Sequence, residues 1–359
     1  MDTNWWNFRR PIQPQGIMGQ RWLSLAACLA STCMLANVAR LAGAAGQKTA
    51  EQKTAEQVVV QRQEGKLQIS IGPALFTEYC YAGYAKPILY PIYGPHEIAM
   101  TRNYPMQKVA GEAHDHPHQK SMWFTHGAVN GIDFWGEGPG HGRIVQNRLI
   151  QTCSGEGQAH IKTADRWLDA QGKVVCTDTR LLTFSALDGG ARAIDWRVTI
   201  HASAGKVVFG DTKEGMMGIR TNPKLRLKND PKRGVTAAAG HSINSAGQQG
   251  NEAWGQPADW IDYWAPIDGH TVGVAIFDHP DNPRHPTRWH ARDYGLIAAN
   301  PFGLHYFANQ PEGTGDMPIP AGQSVTFRYR FLFHDGNTEQ ANIPARYQQY
   351  VEASSASGS

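Results

Sequence analysis

The sequence predicts an all-β protein, one large antiparallel β-sandwich with long loops and a single closing helix. Three observations lead there. Short runs rich in β-branched and aromatic residues recur along the chain, each bounded by Gly, Pro, Asn or Asp. No run of ten or more residues before the C-terminal region carries a helical period. Helices do not alternate with the strands, as a βαβ fold would require. A chain of 359 residues with 41% hydrophobic content can fill the core of one such domain.

Taken in order, residues 1–45 read as an export signal. Arg9, Arg10 and Arg21 precede an apolar run from Trp22 to Ala36, and the small residues Ala42 to Ala45 follow. That run falls short of the roughly 20 residues a spanning helix needs and is broken by Ser24, Ser31 and Thr32, so no integral membrane domain is expected beyond the leader. Leu25-Ala26-Ala27-Cys28 resembles a lipoprotein box, but the apolar run continues past Cys28, which argues against a lipid anchor. Residues 46–57 form a polar linker containing the tandem repeat QKTAE-QKTAE, which has no apolar face to bury.

The single folded domain is expected over 58–351. Val58–Val60 and Leu67–Ile71 flank Gln63-Glu64-Gly65 as a hairpin. Further strands are expected at Leu89–Tyr93, Arg143–Gln151, Gln158–Trp167, Val174–Ser185, Ala193–Ala202, Lys206–Phe209, Thr271–Phe277 and Ser324–His334. Ile343–Val351 is the closing helix, and the Ser/Gly-rich tail 352–359 is expected to be disordered. Of the five cysteines, Cys28 and Cys33 lie in the leader. Cys153 and Cys176 could pair across neighbouring strands, or stay as free thiols with Cys80.

The chemistry concentrates in four stretches. Asp115 to Gly138 holds His116, His118 and His126 beside Trp123 and Trp135, with Asp133 and Glu137. His114, His116 and His118 share parity, so an extended segment would put all three on one face, and Pro117 biases His116 away from the helical region. Such a face could hold a divalent metal, or set a base and an electrophile against a sugar hydroxyl. Phe277 to Gly303 carries Asp278, His279, His285, Arg288, Trp289, His290 and Asp293, and Pro280, Pro283 and Pro286 make it a rigid loop. Gly210 to Arg220 offers Glu214 as a carboxylate and Arg220 as an anion clamp. Trp254, Trp260 and Trp264 suit the apolar faces of sugar rings. The first two stretches are expected to meet in one cleft.

Several classes drop out. The net charge is only +3 and the basic residues are scattered, so no nucleic-acid surface is expected. No Gly-x-Ser-x-Gly elbow, His-Glu-x-x-His motif or phosphate-binding loop occurs.

DHPHQKSMWFTHGAVNGIDFW, GDTKEGMMGIR, the Asn244 to Trp264 segment and FDHPDNPRHPTRWHARDYGLIAANPFG together resemble the PmoA-like family of exported bacterial proteins, from about Tyr90 to Tyr350. Where that family reads Asp-His-Pro-His-His, this chain has Gln119 in the last position. The family's methane-oxygenase label would need several apolar spans of about 20 residues, which this chain lacks beyond the leader. The resemblance implies instead a supersandwich of the galactose-mutarotase and polysaccharide-lyase type, with neighbours in glycan breakdown.

The expectation is an exported, periplasmic or secreted, carbohydrate-active protein that acts on a sugar or glycoside by acid–base chemistry, as a lyase, hydrolase or epimerase. Its catalytic groups are drawn from His116, His118, Glu214, Asp278, His279 and His290, and its substrate-binding groups from Arg220, Trp264, Arg288, Trp289 and Asp293. Two alternatives stand beside it. One is a metal-dependent oxidoreductase with a divalent metal on His116 and His118, and the other is a non-catalytic glycan-binding module. Cofactor and oligomeric state are left open.

Overall fold

The structure is a computed structural model, and it describes residues 55–356. The expected export signal, nearly all of the polar linker and the last three residues of the tail lie outside the described residues.

Among the described residues nineteen strands and two helices follow one another. The first five strands are β1 (Gln57–Gln63), β2 (Lys66–Ile71), β3 (Ala74–Cys80), β4 (Ile88–Ile92) and β5 (Met122–His126). Then come β6 (Arg143–Cys153), β7 (Gly155–Glu156), β8 (Gln158–Leu168), β9 (Val174–Ala186), β10 (Arg192–His201), β11 (Val207–Phe209) and β12 (Gly215–Arg220). The chain continues through β13 (His241–Asn244), β14 (Trp260–Ile267), β15 (His270–Asp278), β16 (Arg288–Ala291) and β17 (Leu296–Asn300). It ends with α1 (Leu304–Ala308), β18 (Met317–Ile319), β19 (Ser324–Asp335) and α2 (Ile343–Ala356).

The strands pair antiparallel into two large sheets and one small ribbon. A nine-stranded sheet runs β16-β17-β12-β5-β4-β3-β2-β1-β7, an eight-stranded sheet runs β13-β14-β15-β19-β10-β9-β8-β6, and β11 pairs with β18. Alternation decides which side chains enter the sandwich. In β8, Ala159, Ile161, Thr163, Asp165 and Trp167 are buried while their neighbours on the outer side are more exposed. The inner faces supply one continuous core that includes Phe76, Met122, Phe124, Trp167, Trp196, Ile297 and Phe331. Each large side chain withdrawn from water there contributes about 1.5–3 kcal/mol.

One ionic cluster sits inside this core. Arg180 donates to both oxygens of Asp178 at 2.9 Å and lies 2.9 Å from Asp165, and Trp167 also donates to Asp178 at 2.7 Å.

The two outer faces differ. On the eight-stranded sheet, α2 lays Tyr347 and Tyr350 over Trp260, Ala275, Phe277 and Leu332. On the nine-stranded sheet the outer face keeps a small cluster of Cys80, Ile88, Trp123, Trp135, Leu296 and Ala298, covered by loops. The candidate site is on that second face.

The architecture expected from sequence is the one observed, with some corrections. The rigid loop after Phe277 gives way at Arg288, past Pro286, to the hairpin β16-β17, and Gly215–Arg220 lies in the interior of the nine-stranded sheet. The closing helix runs on to Ala356, through the first residues of the tail. Cys153 and Cys176 are not neighbours: Cys153 faces His160 and Cys176 faces Trp167 on opposite edges of β8, and both are free thiols. Among the described residues no helix is long and apolar enough to cross a membrane.

Candidate functional site

The floor of the site is a row of residues crossing four strands on the outer face of the nine-stranded sheet. His290 faces Ala298, Ala298 faces Gly218, and Gly218 faces Trp123. The two small residues let the Trp123 indole pack flat against the sheet, and all four positions are buried. Gly218 is required there, since a Cβ would come within 2.9 Å of the Trp123 ring.

Over this floor lies the histidine loop, which is held by one buried guanidinium rather than by strand pairing. Arg102 donates to the carbonyls of Ala113 (3.0 Å), His116 (3.1 Å) and Gln119 (3.2 Å), and to the carboxylate of Asp115 (2.5 Å). Curling around that group, the chain takes His116 to a φ of 44°. The expected extended face of three imidazoles is therefore not formed. His114 turns away to stack on Tyr104 at 4.6 Å, whereas His116 and His118 meet edge to face at 5.9 Å.

Arg220, the expected anion clamp, is part of the same support. It donates to Asp115 at 2.8 Å and to the Gln119 side chain, its guanidinium lies 4.5 Å from the Tyr294 ring centroid, and it is 1% exposed. Burial and the adjacent Arg102 lower it to about 9, which still leaves it charged at neutral pH. Burial would raise Asp115, but its hydrogen bond to His116 and the two arginines outweigh that and hold its carboxyl well below the usual carboxylate range. Asp115 in turn faces His116 Nδ1 at 3.3 Å. The His116 ring stacks parallel on Tyr294 at 5.2 Å.

His118 is the group best placed for proton transfer. Among the described residues neither of its ring nitrogens has a hydrogen-bond partner, and the ring leans on Trp135 at 6.5 Å. Burial, with Lys86 and His116 nearby, lowers its pKa to about 4, so at neutral pH the ring is an uncharged base with free lone-pair and N–H positions. Beside it, Lys86 and Lys120 share one carboxylate, Glu137. Lys86 donates to Glu137 at 2.9 Å and to the Trp135 carbonyl at 3.1 Å, and Lys120 donates to the other carboxylate oxygen. Burial lowers Lys86. It would raise Glu137, but the two ammonium groups more than reverse that. Neither lysine carries a signal in the sequence, because each is a lone cation in its stretch.

His290 joins from the sheet edge. Its Nδ1 bonds the Lys213 carbonyl at 2.8 Å, and burial, with smaller contributions from Arg292, Lys213 and His116, lowers it to about 4. Glu214 is half-buried just before β12, within electrostatic reach of Tyr294. Burial raises Tyr294, against the opposing effects of Gln119 and two arginines. Beyond Tyr294 a cleft of about 400 Å³ opens, lined by Asp115, His116, Arg226, Lys228, Lys232, Arg233 and Asp293 among others.

The structure thus gathers His116, His118, Glu214, Arg220, His290 and Asp293 around Tyr294. It leaves five other expected residues elsewhere. Asp278 is buried beneath the loop that follows it, accepting from Asn282 (2.7 Å) and the Thr287 amide (2.8 Å) and pairing with His285 (2.7 Å). His279 packs on Tyr350 under α2, on the eight-stranded sheet. Trp264 also belongs to that sheet, stacked on His241 at 5.6 Å. Trp289 points into the sandwich and is fully buried, its Nε1 donating to Ala258 at 2.9 Å. Arg288 is bound to the Gly255 carbonyl at 2.7 Å.

A metal on His116 and His118 lacks a third ligand among the described residues. The three-ligand group they do contain is the exposed trio His96, His270 and Asp335, whose ligand atoms lie within 4.8 Å of one another.

A family model described as a family of unknown function, DUF6807, matches residues 66–348. A search of curated proteins gave no significant match. Among solved structures, a GalM/aldose epimerase homologue from C. elegans aligns with a TM-score of 0.31 and 6% identity, over 79% of this chain and 100% of that one. A polysaccharide lyase aligns with a TM-score of 0.28 and 12% identity, over 79% of this chain and 33% of that one. Scores this low carry no argument about activity.

Proposed function

Because the chain belongs to the DUF6807 family, whose description names no activity, its role has to be read from the site, and we propose a carbohydrate-active protein that performs acid–base chemistry on a sugar or glycoside. The observation that carries this reading is His118, a neutral imidazole with both nitrogens free, held against an indole beside a Lys86–Glu137–Lys120 cluster. A general base needs a pKa at or below the working pH and a proton within reach. The half-buried Tyr294 ring, which lines the adjoining cleft among polar groups, matches a sugar ring, which has apolar faces and hydroxyl edges.

In this reading His118 takes a proton from a sugar hydroxyl or from a carbon next to a carbonyl or carboxyl group. Lys86 and Lys120, both buried, stabilise the negative charge that develops, because low polarity around them strengthens the interaction. His116, in its protonated form and backed by Asp115, returns a proton to the sugar, and His118 then gives its own to solvent. Arg102 and Arg220 touch no substrate; they hold the loop that carries both histidines. We also assign the protein to an exported compartment, on the order of charged, apolar and small residues in 1–45.

The test is a screen of poly- and oligosaccharides by bond cleavage and by polarimetry, with wild type beside His118→Ala. Loss of about 10²–10⁴-fold in turnover is expected for removal of a general base. Turnover of a found substrate at the wild-type rate by a folded His118→Ala protein would remove the proposal. Unchanged binding without any turnover in either protein would favour a glycan-binding module.

A further inference from the structure

We infer that the cleft beside His116 selects an acidic sugar, a ring bearing a carboxylate, sulfate or phosphate; this rests on the carbohydrate reading of the adjoining site. The chain as a whole is close to neutral, at +3, yet the cleft wall gathers Arg226, Lys228, Lys232 and Arg233 against Asp115, Asp230 and Asp293. Two of those acids are already committed. Asp115 is held by the buried Arg102 and Arg220, and Asp230 is taken by Arg233 at 2.7 Å with Arg226 at 3.9 Å. Lys228 and Lys232, both exposed, face the cleft with no acidic partner among the described residues.

A second excess of positive charge stands beside His118, where two lysines share the single carboxylate of Glu137. Cations gathered on a concave wall without counter-charges attract an anion, and low-dielectric walls focus that field. Among the described residues Asp293 is the acid in the wall without an ion pair, and it suits a sugar hydroxyl as donor. It also borders a second depression, of about 280 Å³, lined by Trp254, Asn251 and Arg292. The Trp254 Nε1 is buried without a partner among the described residues. A charged cleft that continues past one carboxylate to an aromatic ring has the layout for at least two sugar units, the acidic one beside His116 and the next against Trp254.

The experiment compares binding of short uronate oligosaccharides, a sulfated and a phosphorylated monosaccharide, matched neutral oligosaccharides and inorganic phosphate, by calorimetry on the full chain. The proteins are wild type and the double variant Lys228→Ala/Lys232→Ala, whose exposed positions leave the fold undisturbed. One of the acidic sugars is expected to bind at least tenfold more tightly than its neutral counterpart, with an affinity that falls as salt rises. The double variant is expected to reduce that preference to threefold or less. Comparing the three acidic ligands identifies which anionic group is read.

Equal affinity for acidic and neutral sugars, or a preference that survives the double substitution, overturns the inference and leaves the acid–base reading standing. Inorganic phosphate binding as tightly as any acidic sugar, with the same dependence on the lysines, also overturns it, since the ring then contributes nothing. If instead His118→Ala turns over substrate normally while the lysine-dependent preference holds, the acid–base reading fails and the charge selection stands.

Discussion

Replacing Asp115 by Ala tests how the histidine loop is held. Its carboxylate serves two arginines at once, Arg102 at 2.5 Å and Arg220 at 2.8 Å, which are 2% and 1% exposed. Removing one partner of a buried ion pair leaves an uncompensated charge and costs about 3–5 kcal/mol. The Asp115 side chain keeps some contact with water, so the lower end applies, about 3 kcal/mol. Asp115→Asn retains an acceptor and should lose about 1–3 kcal/mol.

Urea unfolding at pH 7 with an unchanged slope measures both, and Asp268→Ala is the control. Asp268 pairs with Lys224 at the surface, where about 0–1 kcal/mol is expected. The sign with pH is also set. The pKa of Asp115 is depressed in the folded state, so its contribution is fully present above the unfolded value near 3.9 and fades as pH falls through it toward the folded value. The gap between wild type and Asp115→Ala should therefore be level from about pH 5 to 8 and close in stronger acid. A loss no larger than that of Asp268→Ala would refute the claim that Arg102 and Arg220 are structural.

The same contacts set further outcomes. His126 and His290, both lowered to about 4 by burial, must take up protons on unfolding below about pH 6.5, so stability falls from there to about pH 4 by up to about 3 kcal/mol per residue. His126→Gln should flatten that slope by close to one proton, and an unaltered slope would contradict the assignment. Arg180→Met leaves Asp165 and Asp178 facing each other in the core, for a loss of about 3–5 kcal/mol in chemical unfolding. Trp289→Ala empties a core position at about 3–5 kcal/mol, whereas Trp264→Ala, half-buried on the other sheet, should cost about 1 kcal/mol. Similar losses for the two tryptophans would contradict their placement.

The long strands were legible in the sequence because they are half-buried and alternate. β8, β9, β10 and β19 show one buried face each, and the period of two survives in the residue pattern. The strands that build the site were not. β5, β12 and β17 are covered on both sides, so Met122–His126, Gly215–Arg220 and Leu296–Asn300 carry no alternation to detect. The glycines in β12 signal a close backbone approach, and the structure shows that the approaching group is the Trp123 ring packed over Gly218.

In the site itself, residue type located the histidine loop and Glu214, but the roles depend on which way each side chain turns. Arg220 reads as a clamp in sequence and becomes a support because Asp115 and Gln119 meet it across more than a hundred residues. Asp278 and His279 read as an acid and its partner; one braces its own loop and the other lies under α2. Lys86 carries no local signal at all, and Tyr294 stands in a stretch marked by its charges without a role of its own, since only the pairing of β4 with β5 and of β12 with β17 brings their loops together.

The most direct test of the central claim sets His118→Gln beside His279→Gln, both assayed on one glycan substrate with folding confirmed by unfolding curves. A site centred on the histidine loop predicts at least a hundredfold loss for His118→Gln and a change within twofold for His279→Gln. The reverse ranking, or equal activity in both, would contradict it.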